Sequence, residues 1–281
     1  MKCRHCNHSL EHVFLDLGYA PPSNSYIALG KVKQPEIYFP LKLFVCEQCW
    51  LVQTEDYAAA DQLFDADYAY FSSVSSSWLD HAARYVVDVT DRFELSTDSY
   101  VIEVASNDGY LLKNFVAADI PCLGIEPTDS TAAAAELIGI PVLREFFGLA
   151  LAERLVNENK QADLILGNNV YAHVPDINDF TAGLEKVLKQ EGVVTLEFPH
   201  LLSLIEGNQF DTVYHEHFSY LSLHTVSRIF EQAGLRVWDV ESLNTHGGSL
   251  RVYGCRQSAL HEKSELVDQI IEREYRSGLQ D

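Results

Sequence analysis

Four of the six cysteines fall in two pairs of equal spacing, Cys3-x2-Cys6 and Cys46-x2-Cys49, while Cys122 and Cys255 stand alone in or beside strand-like segments. Two intervening residues let a tight turn aim both sulfurs at one point. Two such knuckles complete a tetrahedral four-thiolate shell, and zinc held there is structural because no coordination position stays open. The same spacing would serve disulfides, but a chain read as cytoplasmic keeps its thiols reduced. His5, His8 and His12 are spare ligands beside a shell that the cysteines already fill. The connection between the pairs contains Leu15-Asp16-Leu17-Gly18, Pro21-Pro22 and Ser23-Asn24 and must itself be structured. The lobe over residues 1–55 is too small to be stable by core burial alone and needs its metal.

A second set of reactive side chains follows an apolar run. Glu103 lies inside Tyr100-Val101-Ile102-Glu103-Val104, and Ala105-Ser106-Asn107-Asp108-Gly109 is a sharp turn of small and polar residues. A dinucleotide fold would show G-x-G-x-x-G here, whose glycines admit the pyrophosphate. One glycine and several polar side chains suit a cofactor without phosphates. Glu126, at the end of the next strand and followed by Pro127, is placed to accept from both hydroxyls of a ribose. Asn168 and Asn169, in the loop after the strand-like run that ends at Gly167, are further candidates to hold the cofactor. Together these acids and turns point to S-adenosylmethionine. For Asn107 and Asp108 the plainer reading is turn formation alone.

The third set is Tyr214-x-Glu216-His217, a phenol, a carboxylate and an imidazole in the loop after the fifth strand. Neutral imidazole, with an ordinary pKa of ~6.5, serves as a base near neutrality. An ordinary polar loop is the alternative reading of these residues.

These side chains need a frame that brings them together. Strand-like runs at 100–104, 122–126, 141–143, 162–167 and 192–198 alternate with helical spacing at 110–116, 130–138 and 177–189. This alternation predicts an α/β fold with a parallel sheet flanked by helices, with ligands at the carboxyl ends of the strands. A helix over 224–233 precedes two runs, 235–241 and 248–255, with no helix between them, so these pair as a terminal antiparallel hairpin. Residues 56–99 connect the lobe to this domain. There, Phe64 to Ser73 is dense in aromatics and hydroxyls and reads as a loop leading into an amphipathic helix from Trp78 to Phe93, with a substrate-facing lip as the alternative. The main domain covers 100–258, and 259–281 holds a helix-like stretch from Glu265 to Arg276.

Composition excludes several functions. Net charge is −21 with His neutral, which argues against binding nucleic acid through its phosphates or binding an anionic membrane surface. No apolar run approaches the ~18 residues that span a bilayer, and the first residues lack the apolar stretch of a secretory signal, so a cytoplasmic location is expected.

The chain resembles the zinc-containing, S-adenosylmethionine-dependent sugar C-methyltransferases that act on nucleotide-linked keto-deoxysugars. The matching pieces are the two cysteine pairs, Glu103 to Gly109, Gly124-Ile125-Glu126-Pro127, Asn169-Val170-Tyr171-Ala172-His173, Phe210 to Phe218 and His246-Gly247-Gly248-Ser249-Leu250-Arg251. The likeness covers essentially the whole chain, and Tyr-x-Glu-His-Phe is its most specific part. It implies a Rossmann-like class I methyltransferase sheet behind a four-cysteine zinc domain, and a nucleotide-linked sugar as partner. It also implies His217 as the base that removes an α-proton, Glu216 as a supporting carboxylate and Tyr214 as a donor to the keto oxygen. His173 steadies the enolate, and Tyr68 or Tyr70 reaches in from the lip. His215, out of step with these, is expected at the surface. Similar enzymes continue for roughly a hundred residues, the size of one domain, into a second α/β unit. A shortened or split form, including a non-catalytic cofactor-binding module, is therefore one alternative. A small-molecule O- or N-methyltransferase is another, since fold does not fix the acceptor, and such an enzyme needs no carbon-acid base.

Overall fold

The structure, a computed structural model, describes residues 1–24, 26–55, 57 and 70–281. The N-terminal lobe contributes β1 (His12–Ala20), β2 (Phe39–Val45) and β3 (Val52–Thr54), paired antiparallel in that order. Beyond them the chain runs through α1 (Ser76–Arg92), β4 (Val101–Val104), α2 (Leu112–Ala117), β5 (Cys122–Ile125), α3 (Asp129–Leu137) and β6 (Val142–Leu143). It continues with α4 (Leu149–Asn157), β7 (Ala162–Asn168), α5 (Ile177–Val187), β8 (Leu188–Pro199), α6 (Leu201–Glu206) and β9 (Ser219–Tyr220). Last come α7 (Leu223–Gln232), β10 (Leu235–Leu243), β11 (Ser249–Arg256) and α8 (Glu265–Arg276).

The main sheet has seven strands in the order β10-β11-β8-β7-β4-β5-β6. Neighbours from β8 to β6 are parallel, and β11 is antiparallel to both β8 and β10. The α/β alternation and the terminal hairpin are thus both present. β4 is central and buried on both faces, as its apolar run requires. Side-chain caps start the helices where the sequence supplies them: Ser75 accepts from Trp78 N, Asp176 from Asp179 N and Ser222 from Thr225 N. The helical pattern from Ile177 stops earlier than its spacing suggests, because the backbone turns extended at Leu188 and passes straight into β8. Helix α4, unmarked by the sequence pattern, packs closely on α5. A Cβ on Gly183 would lie 2.9 Å from the Gly148 backbone carbon, so glycine permits that approach. Among the described residues no helix is long and apolar enough to cross a membrane.

The lobe is not a separate body. β9, far along the chain, adds to β3 and completes a four-stranded sheet in the order β1-β2-β3-β9. Cys3, Cys46, Cys49 and Leu51 share one buried cluster with Leu223, Val226 and the core of the main domain. The C-terminal helix α8 also packs back, for its buried Glu274 accepts from the backbone N of Leu223 at 2.6 Å and of His224 at 2.9 Å.

Candidate active site

The two knuckles meet as their spacing demands. The Sγ atoms of Cys3, Cys6, Cys46 and Cys49 all lie within 4.8 Å of one another, with Cys3–Cys49 and Cys6–Cys46 each at 3.5 Å. Zinc–sulfur bonds of about 2.3 Å in a tetrahedron set sulfurs about 3.8 Å apart, so the four thiolates fit a zinc ion. His5 instead turns its Nδ1 to Asn178 Oδ1 at 2.8 Å, while His8 and His12 both face Glu47. None of the three is needed in the shell.

At the carboxyl end of β4 the turn is tight. Ala105, Asn107 and Gly109 have φ of 56°, 49° and 77°. Glu126 Oε2 accepts from Asn107 N at 2.9 Å, and Glu126 Oε1 accepts from Thr128 N at 3.0 Å. Asn107 and Asp108 also clip the lip in place: Asn107 Oδ1 accepts from Ser72 N at 2.9 Å, Asn107 Nδ2 donates to Tyr70 O at 3.1 Å, and Asp108 Oδ2 accepts from Ser73 N at 3.0 Å. Glu103 is 1% exposed, and neither of its carboxylate oxygens has a partner among the described residues. Burial, with Glu126 and Asp108 as neighbouring acids, pushes its carboxyl well above the usual range. An orphaned buried acid at the head of the turn fits a cationic cofactor that supplies the missing counter-charge.

A cavity of about 750 Å³ joins this turn to the later loops. Its lining includes Ala105, Asn107, Glu126, Pro127, Asn168, Asn169 and Tyr70 together with His173, Tyr214, Glu216 and His217. Ser106, Asp108, Gly109 and Glu103 sit behind the wall and shape it rather than lining it. Tyr68 lies outside the described residues. The described lining carries acids such as Glu126 and Glu216 but no Lys or Arg, a sign of charge that suits a sulfonium.

Within the cavity, His217 is held at both ring nitrogens. Its Nδ1 donates to Thr212 O at 3.1 Å, which leaves Nε2 as the bare nitrogen, and Tyr214 Oη donates to it at 2.8 Å. Burial, with His173 beside it, lowers the His217 pKa well below its ordinary value, so the ring is neutral near pH 7. His173 packs edge-on to it with ring centroids 4.6 Å apart, and burial lowers the His173 pKa to about 4. Burial and the Glu216 charge push the Tyr214 hydroxyl upward, which keeps it a donor. Thr212 O takes the orienting place at Nδ1, and Glu216 Oε1 accepts from Ser23 Oγ at 2.7 Å and Asn24 Nδ2 at 3.0 Å. One expectation changes. His215 is buried, not exposed, with Nε2 at 3.1 Å from Pro40 O and its ring edge-on to Phe39.

A family model described as "Methyltransferase domain" matches residues 78–240, more than half of the 281-residue chain. The chain belongs to that methyltransferase family. A second model, "Putative zinc binding domain", matches residues 3–64, which takes in all four knuckle cysteines. C-methyltransferase NovU of Streptomyces niveus is 32% identical over 278 residues, 99% of this chain and 66% of NovU. The chain therefore spans slightly under two thirds of that relative's length. Two solved structures share the fold. One is a Haloferax volcanii complex of the Trm112 methyltransferase activator and "the putative methyltransferase", with TM-score 0.51 at 12% identity over 64% of this chain and 92% of that one. The other is the plantazolicin methyltransferase BpumL with a pentazolic desmethylPZN analog and SAH, with TM-score 0.50 at 9% identity over 64% of this chain and 84% of that one. The sheet is that of an S-adenosylmethionine-binding methyltransferase, and the four cysteines are its zinc site.

Two residues of the cavity wall escape a reading by motif: Asn24 comes from the zinc lobe and Trp78 from α1, and both line the cavity together with His246 of the β10–β11 turn, which the His246-Gly247-Gly248 motif does mark. His246 has φ 50° and ψ 37°, followed by Gly247 at φ 76° and Gly248 at φ 121°, a run of left-handed backbone that marks a constrained turn. Trp78 stacks on His81 at 4.9 Å and meets the His246 ring edge at 5.3 Å. Behind them the buried Glu197 accepts from His81 Nε2 at 2.9 Å, Arg251 Nη2 at 2.8 Å and Thr245 Oγ1 at 3.0 Å. The pairing of Pro21-Pro22 with Ser23-Asn24 was the available signal for Asn24. For Trp78 and His81, α1 carries no local mark that separates a site residue from a core one.

Proposed function

We propose that the chain is an S-adenosylmethionine-dependent C-methyltransferase that methylates the carbon beside the ketone of a nucleotide-linked keto-deoxysugar. The observation that carries this reading is the Tyr214–His217 pair, with a bare imidazole nitrogen capped by a phenol, in the cavity that also holds the cofactor turn. A methyl acceptor that is already nucleophilic needs only orientation. A carbon acid needs a base and a donor at the developing oxyanion, and these two groups supply both.

Asn107 and Glu126 would hold the cofactor, with the buried Glu103 behind them, and when bound it would supply an electrophilic methyl group. His217 Nε2 takes the α-proton of the acceptor, and the C–H electrons move into the enolate. Thr212 holds Nδ1–H so that the imidazolium keeps its orientation. Tyr214 turns its hydroxyl from Nε2 to the former keto oxygen and donates there. His173, neutral beside His217, adds a polar neighbour without competing for the proton. The enolate carbon would take the methyl group as its bond to sulfur breaks, the pair staying on the sulfur of the demethylated cofactor, and His217 then gives its proton to solvent. An acceptor of this class enters sugar first, since the described lining offers no Lys or Arg to a diphosphate.

Deuterium uptake from solvent at the carbon beside the ketone, with S-adenosylhomocysteine in place of the methyl donor, isolates proton removal. The measurement uses the full-length gene product. His217→Asn should slow both exchange and methylation by roughly 10²–10⁴-fold. Exchange at the parent rate in that variant would move the base elsewhere, with His173 next in line.

A further inference from the structure

Asn24 belongs to the metal-stapled lobe, on the connection between β1 and β2, yet it lines the cavity with Tyr214, Glu216 and His217. Two bonds bring it there. Its Nδ2 donates to Glu216 Oε1 at 3.0 Å, and the neighbouring Ser23 hydroxyl donates to the same oxygen at 2.7 Å. Glu216 is 1% exposed, so the tip of the connection is tied to a fixed point of the catalytic loop. The backbone is constrained as well: Asn24 has φ 58°, and its carbonyl oxygen accepts from Tyr26 N at 3.0 Å. Asn enters this left-handed region more readily than most L-residues because its short side chain bonds locally.

A carboxamide offers two donor hydrogens and one acceptor oxygen. With Nδ2 turned to Glu216, Asn24 keeps Oδ1 without a partner among the described residues, at the wall of the cavity. An oxygen that only accepts pairs with a hydroxyl and repels a phosphate or carboxylate oxygen.

We propose that Asn24 is a specificity-determining residue for the acceptor, its Oδ1 accepting a hydrogen bond from a hydroxyl of the sugar ring whose α-carbon faces His217. The inference rests on the acceptor reading above and deepens it: the zinc lobe supplies part of the acceptor site directly. It also gives a use to the long connection between the cysteine pairs, which carries Pro21-Pro22-Ser23-Asn24 from the knuckles to Glu216.

Asn24→Gly tests this in the full-length protein. Glycine keeps φ near 58° without a side chain, whereas alanine would strain the turn. With a nucleotide-linked keto-deoxysugar, the acceptor KM should rise roughly 2- to 10-fold, as one lost hydrogen bond implies. kcat, the calorimetric affinity for S-adenosylmethionine and the zinc content should hold. An unchanged KM overturns the inference. So does a fall in kcat with KM unaltered, since Asn24 would then serve only to anchor the loop around His217. If the parent enzyme neither exchanges nor methylates any such ketone, the acceptor reading fails and this inference falls with it. That result shows in the parent before any variant is compared.

Discussion

Thr54, on the strand that leaves the second zinc knuckle, donates its hydroxyl to the carbonyl oxygen of His217 at 3.1 Å. Its own N–H donates to Phe218 O at 3.2 Å. The preceding residue points the other way, as strand alternation requires. Gln53 Nε2 donates to Cys3 Sγ at 3.3 Å and Gln53 Oε1 accepts from Arg4 N at 2.9 Å. One short strand therefore joins the metal knuckle on one face to the loop of the proposed base on the other.

Metal removal should consequently reach the chemistry. Purified protein is expected to carry about one zinc per chain, and Cys46→Ser to lose it. Chelation should free β3 from β9 and suppress proton exchange far more than cofactor affinity, since Glu103, Asn107 and Glu126 stand on the main sheet. Elemental analysis, exchange and calorimetry on the same sample check this. A metal-free protein that stays folded with four reactive thiols and full exchange would refute it.

The cofactor turn gives a second outcome. Glu126 bonds the backbone of both Asn107 and Thr128, and it lines the cavity where a ribose would lie. Glu126→Ala should weaken S-adenosylmethionine binding by ~1.5–3 kcal/mol, as for a lost charge-assisted hydrogen bond. Calorimetry reads this directly. Equal affinity would remove Glu126 from the site.

The sheet was legible because its signals are local. Apolar runs such as Val101 to Val104 and caps such as Ser222 act over a few residues, and the absence of a helix between β10 and β11 marks the hairpin. The knuckles were legible because four thiolates at x2 spacing have few other uses. What stayed hidden depends on pairing between distant segments. Nothing near Ser219 or Val52 announces that β9 completes the lobe sheet, and nothing near Glu216 says that its carboxylate meets Ser23 and Asn24. His215 looked exposed because its partner, Pro40 O, lies far away in the chain. The roles of Asn107 and Asp108 were half legible: the turn was visible, but its grip on Ser72 and Ser73 was not.

pH dependence follows from the two buried imidazoles. Both folded-state pKa values lie below the unfolded value near 6.5, His173 at about 4 and His217 well below its ordinary value. The unfolded chain therefore binds more protons as pH falls. Stability from these groups is complete above pH 6.5 and is lost progressively as pH falls toward the folded values, by about 3 kcal/mol for His173 alone. Urea midpoints between pH 7.5 and 4.5 should drop less steeply in His173→Gln than in the parent. His217, the proposed base, is shifted in the same direction, so the acid limb of the exchange rate should lie below pH 6.5. A limb at 6.5 would mean an unperturbed histidine is the base.

Glu197 supplies the last test, because it ties the cavity wall to a buried cation. It is 0% exposed on β8 and accepts from Arg251, itself 4% exposed, from His81 and from Thr245. Burial alone would raise its carboxyl pKa, yet the His81 contact and the Arg251 charge hold it below the usual range. Glu197→Gln leaves Arg251 with Glu241 as its remaining carboxylate, at 3.1 Å and close to solvent. Breaking one side of a buried pair is expected to cost about 3–5 kcal/mol, whereas removing both charges is often close to neutral. Urea unfolding should therefore show Glu197→Gln strongly destabilised and the double variant Glu197→Gln/Arg251→Met substantially recovered. Cofactor affinity should separate from stability in that double variant. His81 loses its charged acceptor in both proteins, so the Trp78 that stacks on it is less firmly held against His246. Calorimetry should find weakened S-adenosylmethionine binding in the single and the double variant alike. If affinity recovers together with stability, Glu197 supports the fold and not the wall of the site.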